Sequence, residues 1–257
     1  MDEGKLLRFC IWDTGAVLYG QGRLSTAIHA HNAEQWTLAD GVGTELRAGG
    51  QSPWRPYQLA RVAPRQSHAF RSGVGQAWSI VFTAQVFGAS LTQRRPRTNG
   101  IEPVEDYTLR LASSKTLRRL HASTTDYEAI KIGQSFVECI SRRYAVPIAT
   151  DDPRVQTVLE AIDMSVTADS LTLGAVAKKV FLSPSRLRHL LRAKTGGGFR
   201  AQVRWRRLLR AWQLARSGAT LSQAAFGAGF TDGAHLSRSV RELFGLPPSA
   251  VLSREEA

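Results

Sequence analysis

Residues 170–216 hold twelve Lys or Arg and no Asp or Glu, yet their apolar residues keep a helical period from end to end. No other feature limits the fold as strongly, because it requires amphipathic helices with one apolar and one cationic face, and an anionic partner for the second. Leu173, Val176, Ala177 and Val180 recur at i, i+3, i+4 and i+7, which predicts a helix over residues 171–180. Phe181 and Leu182 form a short turn. Ser183 then offers an N-cap hydroxyl, and Pro184 takes the first helical position, where its missing N–H costs nothing. The second helix buries Leu187, Leu190 and Leu191. It turns Ser185, Arg188, His189 and Arg192 outward, with Arg186 beside them. Two short helices at a tight turn, the second polar and cationic outside, fit a DNA major groove.

The pattern repeats. Residues 221–228 predict a helix, Gly229 and Phe230 its turn, and Thr231 or Asp232 the N-cap of a helix reaching Phe244. Leu236, Val240 and Leu243 face inward; Gly233, Ala234, His235 and Arg238 face outward. This reader carries fewer long hydrogen-bonding side chains than the first. Between the units, residues 199–216 predict one helix with Trp205, Leu208, Leu209 and Trp212 on a face and Arg200, Arg204, Arg206, Arg207 and Arg210 on the rest. It reads as a spacer that sets two recognition helices about one DNA turn, roughly 34 Å, apart, with Arg206 as a phosphate contact.

These residues resemble the AraC/XylS family of transcription regulators. The resemblance covers roughly residues 152–253. It rests on Leu171, Leu173, Ala177, Leu182-Ser183-Pro184-Ser185, Leu187 and Lys194-Thr195-Gly196, and on Gly229-Phe230-Thr231-Asp232-Gly233-Ala234-His235-Leu236-Ser237-Arg238 with Phe244-Gly245-Leu246-Pro247-Pro248-Ser249. It implies recognition helices in successive major-groove segments on one DNA face. Two departures stand out. Phe181 occupies a turn where the family often has Gly, and Gly233-Ala234 leave the second reader weakly armed, so that it works through backbone contacts and shape.

Single helix pairs also occur as ordinary hairpins, and basic runs as solvated faces. The duplication argues against both. RNA binding lacks a platform of exposed aromatics, and a membrane contact would need the apolar faces that the core uses.

Charge is concentrated rather than spread. The chain is net +13; residues 170–216 alone contribute +12, while the rest of the C-terminal half is acidic. Phosphate neutralisation would make affinity steeply salt-dependent. Cys10 and Cys139 provide neither a disulfide framework nor a zinc cluster. The N-terminus lacks a cationic flank before an apolar run, and no stretch reaches a membrane span, so a cytoplasmic protein without membrane contact is expected.

The first half has a different character. Residues 17–19, 24–28, 35–38, 57–62 and 77–82 are short runs rich in Val, Ile, Phe, Trp and Thr between Gly and Pro, the pattern of a β-sandwich or barrel. His29, His31, Ala33 and Gln35 alternate along an expected strand and would face one way. With His68 they resemble the cupin small-barrel pattern, in which two His and a Glu from one strand and a His from a later hairpin surround a cavity. Gln35 stands where the pattern has Glu, and a neutral amide is the poorer ligand. The expectation is therefore no cofactor: His29, His31, Gln35, His68 and Trp78 line a small-molecule pocket or are simply hydrogen-bonded barrel residues, and the three His are weak metal candidates. The polar segment 94–100 reads as a linker, and residues 107–121 and 125–144 as helices. Ile132, Phe136, Val137 and Ile140 give the second helix an apolar face for its own barrel or for a dimer contact. Residues 147–153 mark the next boundary.

The expected fold is α+β in two domains: a cupin-like β-barrel over 1–95, a linker and helical segment over 96–150 with an option to dimerise, and an all-α domain over 151–257 with two helix-turn-helix units joined by a long helix. The expected function is sequence-specific regulation of transcription, an activator in type. Its partners are double-stranded DNA, RNA polymerase, a small effector at the barrel and a homodimer partner where the architecture allows one. The alternative is a cupin-type metal-dependent enzyme fused to a DNA-binding module, with His29, His31 and His68 holding iron or manganese. No assembled acid–base or nucleophilic constellation supports catalysis, and the protein is read as a regulator rather than an enzyme.

Overall fold

The computed structural model describes residues 7–31, 33–83, 100–144, 152–168, 171–195 and 197–252. Two antiparallel sheets build the N-terminal part. The larger takes the order β1-β2-β8-β3-β6-β9, from Leu7–Trp12 (β1), Gly15–Gln21 (β2), Ala77–Thr83 (β8), Glu34–Ala39 (β3), Leu59–Val62 (β6) and Ile101–Pro103 (β9). The smaller joins Arg55–Tyr57 (β5), Thr44–Ala48 (β4) and His68–Arg71 (β7). Their inner faces meet where the Phe70 ring lies 5.3 Å from that of Trp78.

Alternation in the sequence located β2, β3 and β8, whereas three expectations are corrected. Residues 24–28 are not a strand: they run irregularly, touching β7 through a single bridge from Ser25 to Arg71. The run 57–62 breaks at Gln58 into β5 and β6, which lie in different sheets. The segment after the barrel begins as a strand, since β9 pairs with β6 and Arg61 bonds both Glu102 at 3.2 Å and Glu34 at 2.8 Å. Residues 94–99 of the expected linker, and 147–151 of the next boundary, lie outside the described residues.

Helices Tyr107–Ala122 (α1) and Asp126–Tyr144 (α2) cover the larger sheet. Ile132, Phe136, Val137 and Ile140 are all buried there, and the Phe136 ring meets Trp36 edge-on at 6.3 Å. That apolar face is therefore spent on its own β-domain rather than left for a dimer.

The C-terminal helices are Pro153–Ser165 (α3), Leu173–Lys179 (α4), Pro184–Thr195 (α5), Phe199–Arg216 (α6), Leu221–Gly227 (α7), Gly233–Phe244 (α8) and Pro248–Leu252 (α9). Val155, Val158, Ile162, Val176, Leu187 and Leu191 form a separate small core under the first helix pair. The second pair shares its core with the β-domain: Trp205, Leu208, Trp212, Leu236, Val240 and Phe244 belong to the same buried cluster as Phe9, Trp36 and Phe82. Among the described residues, no helix is long and apolar enough to cross a membrane.

Candidate nucleic-acid interface

In the first helix pair, Thr172 caps α4 by accepting from the Ala175 N–H at 3.1 Å, so the helix starts two residues later than its apolar run suggested. The connecting turn forces Phe181 to φ 53°, and its ring is 96% exposed. A non-glycine residue pays about 1–2 kcal/mol for that conformation, offset here by the Leu182 N–H bonding the Ala177 carbonyl at 3.0 Å. Ser183 Oγ accepts from the Arg186 N–H at 3.3 Å and opens α5. Leu187 and Leu191 are fully buried, while Ser185, Arg186, Arg188, His189 and Arg192 are all exposed. Residue spacing alone had placed these five, and the fold leaves them facing solvent.

The second pair is better capped. Thr220 and Gln223 form a reciprocal capping box on α7. Gly229 makes the turn at φ +82°, where a β-carbon would come within 2.9 Å of the Val166 carbonyl oxygen. Asp232 is the N-cap of α8, accepting from the His235 N–H at 2.6 Å. Ala234 and Arg238 are exposed, and Gly233 and His235 partly so. His235 is already engaged, its Nδ1 3.1 Å from Thr231 Oγ1 and its ring edge-on to Phe230.

The spacer helix departs most from expectation. Arg206 does not face outward: it is 6% exposed, donates to the Asp13 carbonyl at 2.8 Å and pairs with Asp163 at 2.8 Å. It pins α6 to the β1–β2 turn and to α3, and its role as a phosphate contact is withdrawn. Its neighbours do similar work. Arg204 pairs with Glu242 on α8, Arg207 donates to the Val166 carbonyl, Arg210 to the Gly227 carbonyl, and Arg216 pairs with Asp126 on α2. The indoles of Trp205 and Trp212 donate to the carbonyls of Trp12 and Phe9 at 3.3 and 3.0 Å. Nothing in the one-dimensional pattern distinguishes an arginine that staples helices from one that meets phosphate. What remains open is a cleft of about 1000 Å³ between the two helix pairs, with Arg188, Arg192, Arg200, Arg204 and His235 on its walls.

Residues 176–254 match the family model described as a helix-turn-helix domain. Residues 176–254 carry an AraC-type helix-turn-helix domain. Among curated proteins none matches this chain. The chain is similar in fold to ToxT from Vibrio cholerae: one crystal structure superposes with a TM-score of 0.54 at 13% identity over 94% of this chain and 96% of ToxT. Unsaturated fatty acid bound wild-type ToxT does so with a TM-score of 0.53 at 13% identity, over 97% and 96%. At such identity the likeness is one of fold.

Against the AraC-type domain lies the histidine cluster. His29 and His31 are not on a regular strand, since β3 begins only at Glu34. The irregular segment nonetheless brings one nitrogen from each of His29, His31 and His68 within 4.8 Å of the others, all three buried. Gln35 sits among them, its Oε1 3.2 Å from His31 Nε2 and 3.1 Å from His68 Nε2. Burial pushes all three imidazoles below their ordinary range, His31 to about 4. Trp78 does not join them. In the β3–β8 register Gln35 faces Phe82, and Trp78 lies four residues along, roughly 13 Å away at the usual strand rise; its indole donates to the Gly22 carbonyl instead. The histidine rings pack on one another, and His29 also lines a cavity of about 610 Å³ shared with Arg241, Glu242 and Gly245. A cavity of about 800 Å³ lies elsewhere, between the larger sheet and α1, with Asp40, Gln58, Tyr107, Arg110, Arg118 and His121 on its walls. Sequence reasoning missed it; the exposed Tyr107 and Leu111 on α1 were its visible trace.

Proposed function

We propose that the protein is a sequence-specific, DNA-binding regulator of transcription that answers to a small effector. The observation that carries this reading is the five-residue polar and cationic face of α5, exposed beside a basic cleft that continues toward α8. α5 and α8 enter successive major-groove segments. The first reads base edges through Arg188, His189 and Arg192, and the second sets register through the backbone at Gly233 and Ala234 and through Arg238. The core shared between the β-domain and α6, α8 and α9 gives an effector a mechanical route to the readers. ToxT, alike in fold, has been crystallised with an unsaturated fatty acid bound, which supports effector sensing in such an architecture.

Contact with RNA polymerase and formation of a homodimer belong to this reading as proposals. The test is selection of duplexes from a random library by the full chain, followed by footprinting. Protection of two adjacent major-groove segments on one face is the expected result. Failure to enrich any sequence overturns it.

A further inference from the structure

The three histidines are held in one tautomer by the backbone. Nδ1 of His29, His31 and His68 lies 2.9, 2.8 and 2.9 Å from the carbonyl oxygens of Ala27, Ala33 and Gln66. A carbonyl only accepts, so each Nδ1 carries the proton and each neutral ring keeps its lone pair on Nε2. A backbone carbonyl on the far nitrogen is also how metal-binding imidazoles are oriented. His31 and His68 aim those lone pairs at Gln35 Oε1, another acceptor, while Gln35 Nε2 donates to Thr37 Oγ1 at 3.1 Å. With the Gln35 amide in this orientation, acceptors converge on a buried point with no proton to share, an arrangement that a cation resolves.

We propose that His29, His31 and His68, backed by Gln35 Oε1, bind a divalent first-row transition-metal ion, and that its occupancy changes DNA affinity through the C-terminal end of α8. The proposal rests on the regulator reading above and names the class of its effector. Imidazole nitrogens select zinc, nickel, copper or iron over magnesium and calcium. The donor set is neutral, with no carboxylate, so the ion's charge stays uncompensated and binding is weaker than a carboxylate in place of the Gln35 amide would give.

Two contacts lead from the ligands to the reader. The Ala27 N–H, next to the carbonyl that holds His29, donates to the Gly245 carbonyl at 3.2 Å. Gly245 is the left-handed C-cap of α8, φ 66°, and a β-carbon there would stand 2.5 Å from His29 Nδ1. On the other side the Phe82 ring touches His31 at 5.4 Å and Phe244, the last residue of α8, at 5.1 Å. Nitrogens on one tetrahedral zinc, at about 2.0–2.1 Å from the metal, stand roughly 3.3 Å apart. Here they lie within 4.8 Å. Loading therefore draws the rings inward and pulls on both contacts.

The experiment uses the full chain, stripped by chelator and titrated with Co²⁺ and Zn²⁺. One equivalent with a tetrahedral cobalt spectrum is expected. His68→Gln should weaken binding by about tenfold or more, as loss of a ligand does, and Gln35→Glu should tighten it by a similar factor. A gain through Gln35→Glu cannot come from misfolding. Fluorescence anisotropy on a library-selected duplex should show Kd changing about threefold or more on zinc loading, with DNA changing zinc affinity by the same factor, and His68→Gln should abolish both. If cobalt does not bind stoichiometrically, a rotated Gln35 amide donating from Nε2 to both rings completes the cluster and the proposal falls. Stoichiometric metal with a smaller shift in DNA affinity overturns the coupling. If the metal-free chain selects no duplex, the regulator reading fails on its own, because the cobalt spectrum reports the site without DNA.

Discussion

Replacing Arg206 by Ala separates two roles that a basic helix in a DNA-binding protein can combine. As a phosphate contact, Arg206 would leave stability untouched, and its loss would lower the slope of log K against log salt by about 0.9. As a staple, it would do the opposite. Its guanidinium is buried at 6% exposure between the Asp13 carbonyl and Asp163, whose side chain is 48% exposed. Breaking one side of a fully buried pair costs about 3–5 kcal/mol. Asp163 is half open and rehydrates once the guanidinium is gone, which brings the expected loss to about 2–3 kcal/mol, including the hydrogen bond to Asp13. Burial already pushes the Asp163 carboxyl above its ordinary range, with Arg206 pulling the other way, so the carboxylate is left in the costlier state. Urea denaturation of the full chain, followed by tryptophan fluorescence, should show that loss, and thermal unfolding a drop of about 4–12 °C. Anisotropy across a salt series should show an unchanged slope, even if K itself moves. A slope reduced by about 0.9 with an unchanged denaturation midpoint would refute the reasoning and return Arg206 to the DNA face.

Arg188→Ala or His189→Ala should cost about 1–3 kcal/mol on the selected site and narrow the gap to random DNA, with no change in urea midpoint; equal losses on both DNAs would sink the placement of α5. The two turns should respond oppositely to glycine chemistry. Phe181→Gly relieves a left-handed φ of 53° and should stabilise by up to about 1 kcal/mol, whereas Gly229→Ala should destabilise by more than that, both read by denaturant midpoint. Burial pushes the Cys10 thiol up to about 12, with Asp126 beside it adding to the effect, while Cys139 is partly exposed. At pH 8 roughly one Cys10 in ten thousand is thiolate, so a disulfide reagent should titrate Cys139 in the native chain and Cys10 only after urea. Native reaction of both thiols would mean that the β1–α2 contact opens.

Both helix pairs, α6 and their inner faces were legible because helices report themselves locally: a 3.6-residue period, a capping Ser183 or Asp232, and Gly at the turn are each written within a dozen residues. The outward residues of α5 followed from the same arithmetic, and so did helices α1 and α2. Strands β2, β3 and β8 showed in alternation. β1, β4, β7 and β9 were missed, because their own residues carry no clear alternation and their pairing partners fix them. The expected strand through His29 failed for the same reason, although the three histidines do converge.

The amino-acid sequence by itself determined the tandem helix-turn-helix domain, the exposed polar and cationic face of α5, and a β-rich partner domain, since periodicity and capping depend only on near neighbours. Tertiary structure alone decided which cations remain for DNA. Charge along a helix says nothing of what lies across from it, and folding placed Asp126, Asp163, Glu242 and the backbone carbonyls of Asp13, Val166 and Gly227 against the arginines of α6. It also decided that His31 and His68 turn Nε2 toward Gln35 with His29 packed against them near the end of α8, because that depends on backbone carbonyls no pattern predicts.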